Sequence, residues 1–311
     1  MKICFIGKSG HSARAFREMK EHPEAEFVGY APGSAEESTE PFRGYEGKIY
    51  ASYEEMLRTE KPDVAVISPV FGLTASILCR VAAMGIDILA EKPVAGSLEE
   101  LAAVEKAVRE NNIRFAAMHF LRFTPSFYEA AEKVRAGRIG KVRMLNAQKS
   151  YRFGNRPTWY QNRELYTGTI PWVGIHAIDW IYHFADAPFQ RVTALHRGDP
   201  EMTALCQFEM EGGILASANL DYYRPKGAKT HGDDRIRVVG EEGIIEVFED
   251  RYLVIDGEKT EEFTPTEAPL LALEFLKGRD LIPLEEILML TRISLLARAS
   301  ADEHQTKEVS P

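Results

Sequence analysis

Residues 1–120 alternate short apolar runs with amphipathic stretches, and this restricts the fold more than any other property of the chain. Apolar runs read as strands at Lys2 to Ile6, Glu26 to Ala31, Asp63 to Ile67, Ile86 to Ala90 and Arg114 to Met118, with helices between them. Strands buried on both faces and joined by helices make a parallel sheet, so this half is expected to be α/β and doubly wound. Two helix starts carry capping boxes, Ser52-x-x-Glu55 and Ser97-x-x-Glu100, and a third carries Thr124-Pro125, with proline at the first helical position.

Beyond Lys141 the period changes to two. Val142 to Ala147, Val192 to Leu195, Ala204 to Phe208 and Ile214 to Ala218 alternate without long helices between most of them. Such runs predict an antiparallel or mixed sheet with one covered face. Arg235 to Val239 and Ile244 to Phe248, joined by Gly240-Glu241-Glu242-Gly243, extend it as a hairpin. Helices are expected near Gly174 to Phe184, Ala268 to Lys277 and Leu284 to Ala301, the last two returning to the first domain. A chain of 311 residues is about twice a typical domain, so the expected division is 1–120 and 121–311.

Composition narrows the partners. No apolar run approaches the roughly 20 residues of a membrane span, and the start, Met1-Lys2-Ile3-Cys4-Phe5-Ile6-Gly7, reads as a strand rather than an export signal. A cytoplasmic location is expected. Cys4, Cys79 and Cys206 are widely spaced in apolar surroundings, which fits buried thiols. With a net charge of −9 and no Lys/Arg cluster, nucleic acid is not an expected partner.

Ligands in open α/β sheets bind at the carboxyl ends of the strands, so the residues there are the first to inspect. Gly7-Lys8-Ser9-Gly10-His11-Ser12 leaves the first strand and opens a helix, a context in which a dinucleotide pyrophosphate rests on helix N–H groups. The glycine fingerprint is degenerate, with Ser9 and Ser12 where glycines would stand. After the second strand comes Ala31-Pro32-Gly33-Ser34, with neither the acid that would hold a ribose 2′-hydroxyl nor an arginine for a 2′-phosphate. Glu36 and Glu37 would repel that phosphate, which favours NAD slightly over NADP. Glu91-Lys92-Pro93 ends the strand at Ala90 and presents an amine at the crevice.

These segments form one ordered set with Leu121-Arg122-Phe123-x-Pro125, Ile139-Gly140-Lys141-Val142 and Gly174-Ile175-His176-Ala177-Ile178-Asp179. The set resembles the glucose-fructose oxidoreductase / inositol dehydrogenase / MocA family of NAD(P)-dependent enzymes, over nearly the whole chain. The resemblance implies a Rossmann domain followed by an α+β domain on an open, mostly antiparallel sheet that binds substrate and joins subunits into a homodimer or homotetramer. It also implies Lys92 and His176 in the active site, with Asp179 one helical turn on. The expected cofactor contacts are Gly7, Ser9, Gly10, His11, Ser12, Pro32, Ser34, Pro69, Val70, Phe71, Glu91, Lys92, Pro93 and Arg122. Three positions depart from the family pattern: Trp172 stands where an aspartate is usual, Val70-Phe71 replaces a Pro-Asn pair, and Thr74 replaces a histidine.

Oxidising a secondary alcohol needs a proton acceptor and a group that stabilises charge on the oxygen. His176 suits the first role and Lys92 the second, with Asp179 orienting a neighbour. Two stretches are rich in aromatics and Arg, Tyr151-Arg152-Phe153-Gly154-Asn155-Arg156 through Trp159 to Arg163, and Asp221 to Lys226 running on to His231-Gly232-Asp233-Asp234. Each reads either as a substrate-pocket wall, suited to sugar faces and hydroxyl or carboxylate groups, or as a packed loop cover. With Trp172 and His176, Trp159, Arg163 and Tyr223 are the candidate substrate contacts. The leading expectation is a sugar, cyclitol or related polyhydroxy substrate. Two alternatives stay open: a ligand-binding pseudoenzyme of the same fold, and a metal-assisted lyase or hydrolase using His176, Asp179 and His183. No metal site is expected, since His183 lies two turns beyond His176.

Overall fold

The computed structural model describes residues 1–309. It separates into two compact bodies, one of Met1–Met118, Asn162–Thr167 and Leu270–Arg292, the other of His119–Gln161, Gly168–Pro269 and the chain from Ile293 on. The strands are β1 Lys2–Ile6, β2 Glu26–Ala31, β3 Lys48–Ile49, β4 Val64–Ile67, β5 Asp87–Ala90, β6 Phe115–Ala117, β7 Val142–Tyr151, β8 Phe189–Arg197, β9 Thr203–Met210, β10 Ile214–Asp221, β11 Gly232–Gly240, β12 Gly243–Phe248, β13 Tyr252–Asp256, β14 Lys259–Phe263 and β15 Lys307–Glu308. The helices are α1 Ser12–Met19, α2 Tyr53–Glu60, α3 Thr74–Ala82, α4 Leu98–Asn111, α5 Pro125–Arg135, α6 Arg163–Tyr166, α7 Ile175–Ala185, α8 Leu271–Leu276 and α9 Leu284–Glu303.

In the first body six parallel strands lie in the order β3-β2-β1-β4-β5-β6. Val64, Ala65, Val66 and Ile67 of β4 are all buried, as a central strand covered on both faces requires. The order reverses direction between β1 and β4, the switch point at which such sheets open a crevice. Both predicted capping boxes form their first half: Ser52 and Ser97 accept the N–H of Glu55 and Glu100. Glu100 returns its carboxylate to the N–H of Gly96 at 2.8 Å, one residue before the cap. Thr124 occupies its expected place before Pro125 without a side-chain cap bond.

The second body holds a nine-stranded sheet in the order β14-β13-β12-β11-β7-β10-β9-β8-β15. Every pairing is antiparallel except β7 with β10, so the sheet is mixed. Ala204, Cys206, Phe208 and Met210 of β9 face the core while Leu205, Gln207 and Glu209 face outward. On the open face Met144 pairs with Leu215 and Leu195 with Leu205, each more than two-fifths exposed, and the row Asn146, Ser217, Gln207 and Thr193 lies between the two pairs. β13 and β14 were not expected from the sequence. β14, Lys-Thr-Glu-Glu-Phe, is a largely exposed edge strand without apolar alternation, so only the Asp256-Gly257 turn signals the pair. Cys4, Cys79 and Cys206 are free thiols, and no helix among the described residues is long and apolar enough to cross a membrane.

Candidate active site

Register places the candidate cofactor residues of the first body in one row. Ile6 of β1 pairs with Ala31 of β2 and Ile67 of β4, and Ile67 pairs with Ala90 of β5, so four strands end side by side. Gly7, Pro32, Ser34, Pro69, Val70, Phe71, Glu91, Lys92 and Pro93 therefore gather along one edge. Gly7 adopts φ +76°, and a Cβ there would collide with the Ser68 carbonyl and Pro69 Cα, so the turn can approach β4 only as glycine. Gly10, at φ +59°, lies against the Glu91 side chain in the same way. Ser9 closes the turn through its N–H to Ser68 O at 2.8 Å, and His11 and Ser12 open α1.

Glu91 connects this turn to Lys92. Its Oε2 accepts the His11 N–H at 2.7 Å, its Oε1 meets His11 Nδ1 at 2.9 Å, and Lys92 Nζ stands 3.6 Å from the same oxygen. Burial opposes a charge on Glu91, but His11 and Lys92 outweigh it and hold the carboxyl below its usual range. Burial holds the His11 imidazole down as well, against the pull of Glu91. Lys92 is 2 % exposed, followed by a cis peptide bond to Pro93. Arg163 also belongs to this body, on the short helix α6, where Glu164 packs on Gly72.

An acid at the end of β2 is present after all, though it comes from further along the chain. Glu37 folds back so that its carboxylate accepts the N–H of Gly33 at 3.0 Å and the N–H of Val70. Burial raises its pKa against the stabilising effect of those N–H groups. Sequence spacing did not reveal this, because a six-residue detour after β2 carries the acid back to the strand end. The same strap is anchored to the glycine turn by Lys8 Nζ, which donates to Ser38 Oγ at 3.3 Å and Glu40 O at 2.5 Å.

In the second body, His176 sits in the first turn of α7, 2 % exposed. A five-residue π-turn, Ile170–Gly174, precedes it and contains Trp172. Such turns re-aim side chains at functional sites. The residue before it is pinned: Thr169 donates its N–H to Glu201 Oε2 at 2.9 Å and its hydroxyl to Glu201 O at 2.6 Å. Asp179, fully buried, accepts from Arg122 Nε at 2.9 Å and from Arg122 Nη2, with His119 Nδ1 at 3.5 Å. Burial works against this charge, but Arg122 and His119 outweigh it and keep the carboxyl well below its usual range. His183 lies against Arg135, and burial with the charges of Arg122 and Arg135 lowers its pKa well below the usual value. A cationic neighbourhood of this kind disfavours the metal arrangement considered for His176, Asp179 and His183. Trp159 stacks on Tyr160 at 4.3 Å, and Tyr223 is 66 % exposed.

Residues 1–119 match the oxidoreductase family with an NAD-binding Rossmann fold, and residues 127–246 match the GFO/IDH/MocA C-terminal domain. The chain belongs to the GFO/IDH/MocA family. Among solved structures, a presumed oxidoreductase from Thermotoga maritima superposes with a TM-score of 0.95 at 38 % identity, covering 99 % of this chain and 100 % of that one. Levoglucosan dehydrogenase in complex with NADH and L-sorbose shares the fold at a TM-score of 0.83 and 16 % identity, covering 100 % of this chain and 99 % of that one. Inositol 2-dehydrogenase 2 of Saccharopolyspora erythraea is 30 % identical over 169 residues, 52 % of this chain and 47 % of that protein. The chain spans about half the length of the curated family members it matches. The turn fits the family's dinucleotide, since Gly7 and Gly10, both at positive φ, lead the chain directly into α1, whose first main-chain N–H groups are the donors that hold a pyrophosphate.

Proposed function

We propose that this chain is an NAD-dependent oxidoreductase that moves a hydride between the cofactor and a hydroxyl or carbonyl carbon of a sugar, cyclitol or related polyhydroxy compound. The observation that carries this reading is the Glu91 carboxylate, which ties Lys92 at the end of β5 to the turn at the start of α1. A lysine locked to the dinucleotide turn is prepared for chemistry beside the cofactor. Named relatives include inositol 2-dehydrogenase 2 and a D-xylose 1-dehydrogenase (NADP(+)) of Haloferax volcanii, which supports a polyhydroxy substrate. NAD bound in the cleft supplies or accepts the hydride. Lys92 donates a charged hydrogen bond to the reacting oxygen, His176 takes or returns its proton, and Asp179 holds Arg122 in place.

Glu37 supports NAD over NADP, since a carboxylate at the end of β2 accepts a ribose hydroxyl and repels a 2′-phosphate. The exposed apolar pairs Met144–Leu215 and Leu195–Leu205 support a homodimer or homotetramer formed through the open sheet face. Thermal shift with NAD, NADH, NADP and NADPH tests the reading, because a ligand that binds the folded state raises its melting temperature. NAD or NADH should give the larger shift. No shift with any of the four would favour the pseudoenzyme.

A further inference from the structure

We infer that Arg152 and Arg156 form an oxyanion subsite, and that the polyhydroxy substrate is therefore acidic, a sugar acid or a sugar phosphate. This deepens the proposed function and rests on its reading of the second body as the substrate side.

The two arginines follow β7. Arg152 is fixed by its backbone, which bridges to Tyr223 and donates an N–H to His231 O at 3.1 Å. Arg156 is fixed by its guanidinium, 5.3 Å from the ring centroids of both Tyr160 and Tyr222. Its Nη2 reaches only the Arg152 carbonyl, at 3.4 Å. The Nε atoms of both are buried with no hydrogen-bond acceptor. Among the described residues neither arginine forms an ion pair, and the neighbouring aspartates pair with other cations. Asp233 holds Arg224 and Arg235, and Asp234 holds Lys149, whose Nζ lies over the Tyr151 and Trp180 rings. His231 registers the excess: burial, then Arg156, Arg152 and Lys149, lower its pKa.

A protein with net charge −9 has thus left two partly desolvated guanidiniums, one of them held between aromatic rings, outside any ion pair. Buried donors without acceptors are costly and uncommon, and two of them within one short loop, both near His231, fit an anion that arrives with the ligand. The geometry suits that ligand. Guanidinium edges recognise carboxylate or phosphate, and the neighbouring aromatic rings offer faces to a sugar. The subsite also lies just beyond the ends of β7 and β10, and β10 packs on the turn that leads to the candidate base. Gly174, two residues before His176, packs so closely on Leu220 that a Cβ there would sit 2.6 Å from Leu220 Cδ1. Tyr222, which supports Arg156, follows Leu220 by two residues and is buried with it on the same side of the strand.

The test is melting temperature and calorimetric binding of the full chain at fixed ionic strength, with D-gluconate, D-glucuronate, D-glucose 6-phosphate and D-glucose, in the presence and absence of NAD. The acids should bind the wild type more tightly than D-glucose does, and Arg152→Gln and Arg156→Gln should each weaken them about tenfold while leaving NAD affinity unchanged. Two variants are needed because Arg156→Gln also removes a cation–π contact. Binding of gluconate or glucuronate would identify the oxyanion as a carboxylate, and binding of glucose 6-phosphate alone would identify a phosphate ester. The inference is overturned if no acid binds more tightly than D-glucose, or if both variants bind the acids as the wild type does. Arginine-dependent acid binding without any hydride transfer would leave the subsite standing and defeat the oxidoreductase reading. Turnover of neutral sugars alone, unaffected in both variants, would do the reverse.

Discussion

The two carboxylate oxygens of Glu91 hold His11 by its main-chain N–H at 2.7 Å and its ring Nδ1 at 2.9 Å. One acid therefore shapes the turn at the mouth of α1 and partners the Lys92 ammonium. Glu91→Gln should loosen both. Breaking a buried ion pair by removing one partner costs about 3 kcal/mol, so thermal unfolding should begin at a clearly lower temperature. NADH affinity, read by fluorescence titration, should fall about tenfold as the turn relaxes. Unchanged values for both would show that the contact is incidental.

Lys92→Met should lower the single-turnover rate of hydride transfer by about 10²-fold or more, with NADH affinity largely retained. His176→Ala should lose a comparable factor and flatten the acid limb of the wild-type pH–rate profile. Near-wild-type hydride transfer in Lys92→Met would sink the proposed mechanism.

Cofactor choice tests Glu37. Its two oxygens accept the Gly33 and Val70 N–H groups, so Glu37→Gln removes the charge and keeps one of the two bonds, and its melting temperature is read beside its affinities to separate loss of charge from loosening of the strap. The preference for NAD over NADP, measured as a ratio of dissociation constants, should narrow about tenfold. A constant ratio would move the source of selectivity elsewhere.

Acid stability reports on Asp179. Its folded pKa is depressed by Arg122 and His119 in spite of burial, and below an unfolded value near ~3.9 the unfolded chain binds the proton more readily. The stabilisation is complete above that pH and is lost as pH falls from about 4 towards the folded pKa. Asp179→Asn should lower stability at pH 7 and remove this part of the acid transition in urea titrations. An identical acid limb would show that the pair contributes nothing.

The open sheet face predicts self-association. Leu215, 54 % exposed beside Met144, should lie in the contact, and Leu215→Asp should shift the mass seen by light scattering towards a single chain of 35.0 kDa. A wild type that is already monomeric at micromolar concentration would refute the proposal.

Local chemistry made much of this protein legible in its sequence. Runs buried on both faces, such as Val64 to Ile67, read as parallel strands, and the alternation of Ala204 to Phe208 read as a one-sided sheet, because burial repeats with the pleat. Ser52 and Ser97 marked helix starts because the first N–H groups of a helix need acceptors. Strand ends then pointed to Gly7, Glu91 and Lys92. Interactions between distant residues could be decided only by the tertiary structure. Glu37 returns to the end of β2 through a detour that no spacing rule encodes, and Glu91 reaches His11 across 80 residues. In sequence the stretch holding Arg152 and Arg156 reads equally as a substrate-pocket wall and as a packed loop. Only the fold shows that nearby acids are engaged by other cations, because ion pairing depends on distances that chain order does not specify.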